Sequence, residues 1–344
     1  MPSRRVPGTK FVPPKNPSSH TGLTGTDTPG QYGAIRLYTG SAAGSLGDEV
    51  ARYIGINLSG ADILRFSNEN IFIRLNSSVR GQDVYLIQGT AAPVSDNIME
   101  LLIMLDTLKR DSAGRITAVV PFLAYGRSDK KDQPRVPITS RLLADMIQLA
   151  GADRYITIDL HAGQIQGFFS IPGDVLTAFH LISDYFADKQ LQNATVVSTD
   201  LGFAKKARNY AVKLDMPLAF VEKRRTGNRD QPEVMGLIGE VEGKDVVMID
   251  DECNTAGSLE SAVKTVREHG GQDIYLAFTH AVLSDSAVER LRNMNVKEIV
   301  TTNTIHIPDE KRLPNMRILS IAPLIGEVIM RAHDGRSVGE LFNE

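Results

Sequence analysis

One cysteine, Cys253, is all the thiol this 344-residue chain contains. That excludes an intrachain disulfide and any multi-cysteine metal site, and it suits a reducing compartment. No apolar run approaches the roughly 20 residues needed to span a bilayer, and the first residues show no signal-peptide pattern. A cytoplasmic protein with no membrane partner is the expectation. Charge of one sign is missing as well: 38 basic and 41 acidic residues leave a net charge of −3, so nothing pulls the whole chain toward nucleic acid. No short repeat, heptad run or low-complexity tract interrupts the chain. The nucleotide loop GxxxxGK[ST] is also absent, since the nearest stretch, GEVEGK from Gly239 to Lys244, has the wrong spacing and no hydroxyl residue. Any nucleoside triphosphate would have to be held without that cradle.

A hydrophobic content of 42% and a charged content of 23% are those of a globular protein with room for two domains. Residues 1–33, rich in Pro, Gly, Ser and Thr, are expected to be a disordered tail. Arg4, Arg5, Lys10 and Lys15, with no acid before Asp27, would also permit a transit-like arm. From Ala34 onward, short apolar runs alternate with amphipathic helical stretches such as Asn97 to Lys109 and Thr139 to Ala150. That alternation implies right-handed βαβ units and parallel sheets flanked by helices. There are enough for two α/β domains, 34–175 and 176–344, joined near Gly173 to Leu176. The last helix, about Leu324 to Ala332, is expected to pack back on the first domain.

Four stretches carry chemistry. The first, Gly243 to Gly271, reads GKDVVMIDDECNTAGSLESAVKTVREHGG. An apolar strand ends in Asp250, Asp251 and Glu252; a turn of small residues, Thr255, Ala256, Gly257 and Ser258, then leads into a helix. Backbone N–H groups at that helix start and the hydroxyls of Thr255 and Ser258 can hold a phosphate, and the carboxylates can hold ribose hydroxyls or a divalent cation. A strand-to-helix corner with solvated acids is the plainer reading. The second stretch, Ile156 to Phe169, reads ITIDLHAGQIQGFF and puts Asp159 and His161 at a strand's carboxyl end, where α/β sheets bind ligands. The third, VVSTDLGFAKKAR, ends a strand at Asp200, which also suits a helix N-cap. The fourth, AFVEKRRTGNR, leads Lys223, Arg224 and Arg225 into a polar loop able to close over a polyphosphate. From the residues alone the reading stops at a magnesium-dependent sugar-phosphate or nucleotide enzyme on two α/β domains.

The DDxxxTAGS turn resembles the 5-phosphoribosyl-1-pyrophosphate loop of type I phosphoribosyltransferases and of ribose-phosphate pyrophosphokinases. DLHAxQIQGFF is similar to the second family, and phosphoribosyltransferases lack it. The likeness runs from about Ala34 to Phe342 and carries its motifs in order. It implies two tandem type I phosphoribosyltransferase-like domains and transfer of the pyrophosphoryl group of ATP to ribose 5-phosphate. By the resemblance, Lys223 and Arg225 are catalytic; His161 and Asp200 hold Mg2+; and Phe66, Asn68, Asn70, Arg127 and His161 contact ATP. Asp250 and Asp251 hold the ribose hydroxyls, and Asn254 to Ser258 grip the 5-phosphate. The resemblance further implies a hexamer built from dimers, with the adenine site completed by a neighbouring chain. The wording departs from the family at Asn68 and Asn70 (acids in the family), Ser128 (Gln), Phe203 (Gly) and Asn254 (an acid). Those departures keep open a non-catalytic regulatory paralogue. A phosphoribosyltransferase is the third reading, disfavoured by the DLHA stretch and the two-domain length.

Overall fold

The structure is a computed structural model describing residues 32–199, 202–224 and 234–341. The tail through residue 31 therefore lies outside the described residues. Tyr32 is already placed, with the Arg115 guanidinium 4.6 Å from its ring centroid.

The first half runs β1 (Ile35–Thr39), α1 (Gly44–Ile54), β2 (Ala61–Arg65), β3 (Ile71–Leu75), β4 (Asp83–Ile87), α2 (Val94–Arg110), β5 (Arg115–Val119), α3 (Thr139–Ala150), β6 (Arg154–Ile158) and β7 (Gly173–Leu176). Five of these strands form a sheet in the order β1-β4-β5-β6-β7, every pairing in it parallel. The interior strand β4 is buried at every position, as strands covered on both faces are. β2 and β3 stand apart as an antiparallel hairpin.

The second half runs α4 (Phe179–Lys189), β8 (Ala194–Ser198), α5 (Ala204–Leu214), β9 (Leu218–Arg224), β10 (Val234–Ile238), β11 (Asp245–Cys253), α6 (Gly257–Glu268), β12 (Ile274–Ala281), α7 (Ala287–Asn293), β13 (Glu298–Thr302), β14 (Met316–Leu319) and α8 (Ala322–His333). Its seven strands lie in the order β10-β9-β8-β11-β12-β13-β14; only β10 is antiparallel to its neighbour. Both sheets are thus the mainly parallel, helix-flanked layers of an α/β fold.

The layers follow from which residues share a core. Leu101 and Leu105 of α2 and Leu143 and Ile147 of α3 pack with Leu86 and Ala118 on the outer face of the first sheet. Leu259, Val263 and Val266 of α6 and Leu291 of α7 do the same on the outer face of the second. Between the sheets, Val50 of α1, Ile182 of α4, Ala207 of α5 and Ile325 and Ile329 of α8 join Ile87 and Val119 of one sheet to Val247 and Ile249 of the other. At the amino end of the first sheet, the buried Asp83 carboxylate accepts two bonds from Arg115 at 2.7 and 2.6 Å. The Nδ1 of His333, the last residue of α8, lies 2.8 Å from the same carboxylate.

Most expected elements are present, with four strands added. β2 has no fully buried position, so the alternation that marks a strand is faint there. β7 opens on a glycine, occupies the segment read as the join, and is the edge strand of the first sheet. β10 and β14 are sheet edges too. β11 is longer than its apolar run suggests, because pairing with β12 continues through Asp250, Glu252 and Cys253.

Candidate active site

The carboxyl ends of the two sheets meet at a cleft. β6 leaves the first sheet at Ile158, and Asp159 turns the chain with a φ of 41°, a left-handed conformation that costs a non-glycine residue energy unless its surroundings hold it. Its buried carboxylate accepts bonds from the Thr177 hydroxyl at 2.9 Å, the Ala178 N–H at 3.0 Å and the Thr279 hydroxyl at 2.7 Å. Two residues on, His161 emerges on the surface of the cleft. Its Nδ1 lies 2.6 Å from Oδ2 of Asp251 on β11. That contact holds the imidazole above its usual pKa, the hydrogen bond outweighing the opposing effect of burial. Asp251 goes the other way: burial alone would raise it, but the His161 bond and charge hold it below the usual carboxylate range.

Asp250 is the contrast. Burial and the neighbouring Asp251 charge push it well above an ordinary aspartate, although the Thr199 hydroxyl donates to it at 2.7 Å. Two adjacent carboxyls driven apart in this way can play different roles. Glu252 pairs with Arg127 across the cleft. Cys253 is buried and its thiol is pushed up to about 12 by that burial and by the Asp250 and Glu252 charges, which makes it inert.

Next comes the small-residue turn. Ala256 sits at φ 61° and caps α6, whose first N–H groups have no intrahelical partner. Thr255 and Ser258 are exposed beside it. The turn is held from behind by the segment leading into α7 and by α7 itself. The Ser284 N–H donates to the Asn254 carbonyl at 3.0 Å, the Ser284 hydroxyl donates to Asn254 Oδ1, and Arg290 Nη1 donates to the Thr255 carbonyl at 3.1 Å. A Cβ on Gly257 would stand 2.9 Å from that same Nη1, so glycine there leaves the guanidinium its place.

His161, Arg127, Asp250, Asp251 and the Asn254–Ser258 turn therefore share one cleft. Phe66, Asn68 and Asn70 do not bond to it among the described residues. They lie exposed at the tip of the β2–β3 hairpin, where Asn68 Oδ1 accepts from the Asn70 N–H at 3.2 Å. Lys223 is in β9, but its side chain, and Asp200 and Arg225 entirely, lie outside the described residues. Beside His161, a cavity of about 430 Å³ opens between Asp159, Gln166, Thr177 and Lys206. Three residues absent from the sequence reading's site, Thr279, His280 and Arg290, support it from behind. The first two end the apolar run of β12, and the strand-end rule that found Asp159 could have found them.

Comparison with known proteins finds relatives over most of the chain. The family model described as the N-terminal domain of ribose phosphate pyrophosphokinase matches residues 35–151, and that of the phosphoribosyl synthetase-associated domain matches residues 224–343. A ribose-phosphate pyrophosphokinase of Caldanaerobacter subterraneus is 45% identical over 310 residues, 90% of this chain and 98% of the relative. That of Wolinella succinogenes is 46% identical over 307 residues, 89% and 98% of the two chains. The crystal structure of phosphoribosylpyrophosphate synthetase from Mycobacterium smegmatis superposes with a TM-score of 0.82 at 40% identity, covering 88% of this chain and 99% of that one.

Proposed function

The chain belongs to the ribose-phosphate pyrophosphokinase family and is an enzyme of that reaction, and we propose that the cleft between its two sheets is where ATP and ribose 5-phosphate react. The observation that carries this reading is the 2.6 Å contact between His161 and Asp251, residues 90 apart in sequence. It joins the stretch assigned to ATP to the stretch assigned to the sugar phosphate.

In the reaction, the anomeric hydroxyl of ribose 5-phosphate attacks the β-phosphorus of ATP in line. The bond to the α-phosphate oxygen breaks, AMP leaves, and 5-phosphoribosyl-1-pyrophosphate remains. Nothing covalent is asked of the protein; it positions substrates and offsets charge. The 5-phosphate would lie on the N–H groups at the start of α6, between the Thr255 and Ser258 hydroxyls. Asp250, held near protonation, can donate to or accept from a ribose hydroxyl, whereas ionised Asp251 only accepts. Arg127 would exchange its Glu252 carboxylate for an ATP phosphate. Lys223 and Arg225 would stabilise the charge that develops on the transferring group.

A divalent metal requirement is consistent with the family, and the residues present fit one. A metal-binding histidine normally donates its other ring N–H to a carboxylate, and the Nδ1 of His161 faces Asp251. Magnesium keeps few protein ligands and shares itself with substrate phosphates. His161 through Nε2, with Asp200, would hold Mg2+. Bound there, the ion would supply charge neutralisation of the polyphosphate and make the β-phosphorus more electrophilic.

We also propose a hexamer built from dimers, in which the hairpin carrying Phe66, Asn68 and Asn70 completes a neighbour's adenine site. Its exposure at the hairpin tip supports this. Among the described residues no helix is long and apolar enough to cross a membrane; a cytoplasmic location is part of the proposal, supported by the lone buried thiol. A division into domains 34–175 and 176–344 completes it, supported by the two separate sheets. The test is AMP release from ATP dependent on ribose 5-phosphate, in the native protein and in His161→Ala. Release that is lost in the variant is expected. A silent native protein would favour the regulatory paralogue, and an unaffected variant would move the site elsewhere.

A further inference from the structure

The cleft is built from two sheets, so something must fix one strand end against the other. His161 reaches Asp251 only if the turn at Asp159 is held where it is. That turn is strained, and the bonds that hold it come from two separate places in the chain. Thr177 and Ala178 bind the Asp159 carboxylate from the segment after β7; Thr279 binds it from β12 of the other sheet.

The next residue, His280, is 3% exposed and pairs with Glu252 of β11 in the sheet register. Its Nε2 lies 3.1 Å from the Ile158 carbonyl oxygen and 3.1 Å from that of Asp159. Both are acceptors, so Nε2 carries the hydrogen. Nδ1 lies 2.9 Å from the Thr304 hydroxyl, which can donate to it, and the Phe122 ring closes over the imidazole with centroids 5.0 Å apart.

A buried, satisfied histidine is ordinarily a packing residue. This one differs in what it holds: the two carbonyls at the strained bend that carries His161. We propose that His280 is a positioning residue for pyrophosphoryl transfer. Its Nε2–H clamps the end of β6 to the second sheet and so sets His161 and the ATP side of the cleft in line with the ribose side. The inference rests on the cleft being the active site.

The sugar-phosphate groups all belong to the second sheet and its loops. Loosening the clamp should therefore misalign the reactants without weakening the grip on ribose 5-phosphate. A displacement of about 1 Å can cost up to 10²-fold in rate. In the full-length protein, His280→Leu is expected to lower kcat about tenfold or more, with KM for ribose 5-phosphate changed less than about twofold. His280→Gln, whose amide reaches the Nε2 position, should recover most of the loss; His280→Asn, whose amide stops at the Nδ1 position, should not. Nitrogen chemical shifts of the native protein should show the Nε2–H tautomer. The Gln-over-Asn order decides the matter even if His280→Leu does not fold. Equal kcat for the Gln and Asn variants, a kcat for His280→Leu within about twofold of native, or the Nδ1–H tautomer would each overturn the proposal. If His161→Ala leaves the native rate intact, the reading of the cleft has failed; if it abolishes the rate while His280→Leu does not, only the clamp has.

Discussion

Gly257→Ala should weaken ribose 5-phosphate binding through a residue that need not touch the substrate. The new Cβ would stand 2.9 Å from Arg290 Nη1, closer than carbon and nitrogen tolerate. The backbone there is ordinary helix, so alanine itself is not strained, and the guanidinium is the end of a flexible side chain that can swing away. In moving it gives up the 3.1 Å bond to the Thr255 carbonyl. With its side chain 39% exposed, such a bond is worth about 0.5–1.5 kcal/mol. The loop would then be ordered by the substrate rather than beforehand, and at about 1.4 kcal/mol per factor of ten KM for ribose 5-phosphate should rise roughly two- to tenfold. KM for ATP should hold. A drop in melting temperature of about 2–4 °C per kcal/mol is expected alongside. The assay is steady-state kinetics in both substrates for Gly257→Ala, Arg290→Gln and the pair. If alanine acts by displacing Arg290, it adds nothing once Arg290 is glutamine. Additive losses in the double variant, or a rise in KM for ATP equal to that for ribose 5-phosphate, would refute the argument.

Lys223→Ala and Arg225→Ala should each lower turnover by orders of magnitude with little change in ATP binding, since their charge matters mainly in the transition state; lost ATP affinity at unchanged turnover, seen by nucleotide titration, would sink that role. At the hairpin tip, Asn68 and Asn70 replace an accepting surface with amides that can also donate. GTP should therefore be used better than in relatives with both acids, and Asn68→Asp with Asn70→Glu should raise the ATP-to-GTP ratio of kcat/KM. An unmoved ratio would mean that the base is read elsewhere. The His161–Asp251 contact fixes a pH window. The raised histidine adds stability that is full below about 6.5 and lost as pH climbs through its folded value. The lowered aspartate adds stability above about 3.8 that is lost as acid protonates it. Asp251→Asn should consequently cost most between about pH 4 and 6.5 and less at higher pH; denaturant melts in which the cost grows with pH would contradict the pairing.

Much of this was legible in the chain itself. The period of apolar residues marked Thr139 to Ala150 as a helix with the observed bounds. The apolar run to Ile249 marked a strand, although its pairing with β12 carries on to Cys253, and small residues before Leu259 marked the turn into α6. These are local facts, because helix period, strand end and turn chemistry are decided within a few residues. The strands without a clear signal, β2, β7, β10 and β14, lie in the hairpin or at sheet edges, and β2 and β14 have no fully buried position to set up an alternation. What the folded chain alone decided is which ends meet. Nothing near His161 in sequence points to Asp251, nothing near Thr279 and His280 points to the bend at Asp159, and nothing near Gly257 points to Arg290. Each pairing depends on strand order and on how the two sheets share one core, and residue periodicity says which face is buried but never what is buried against it.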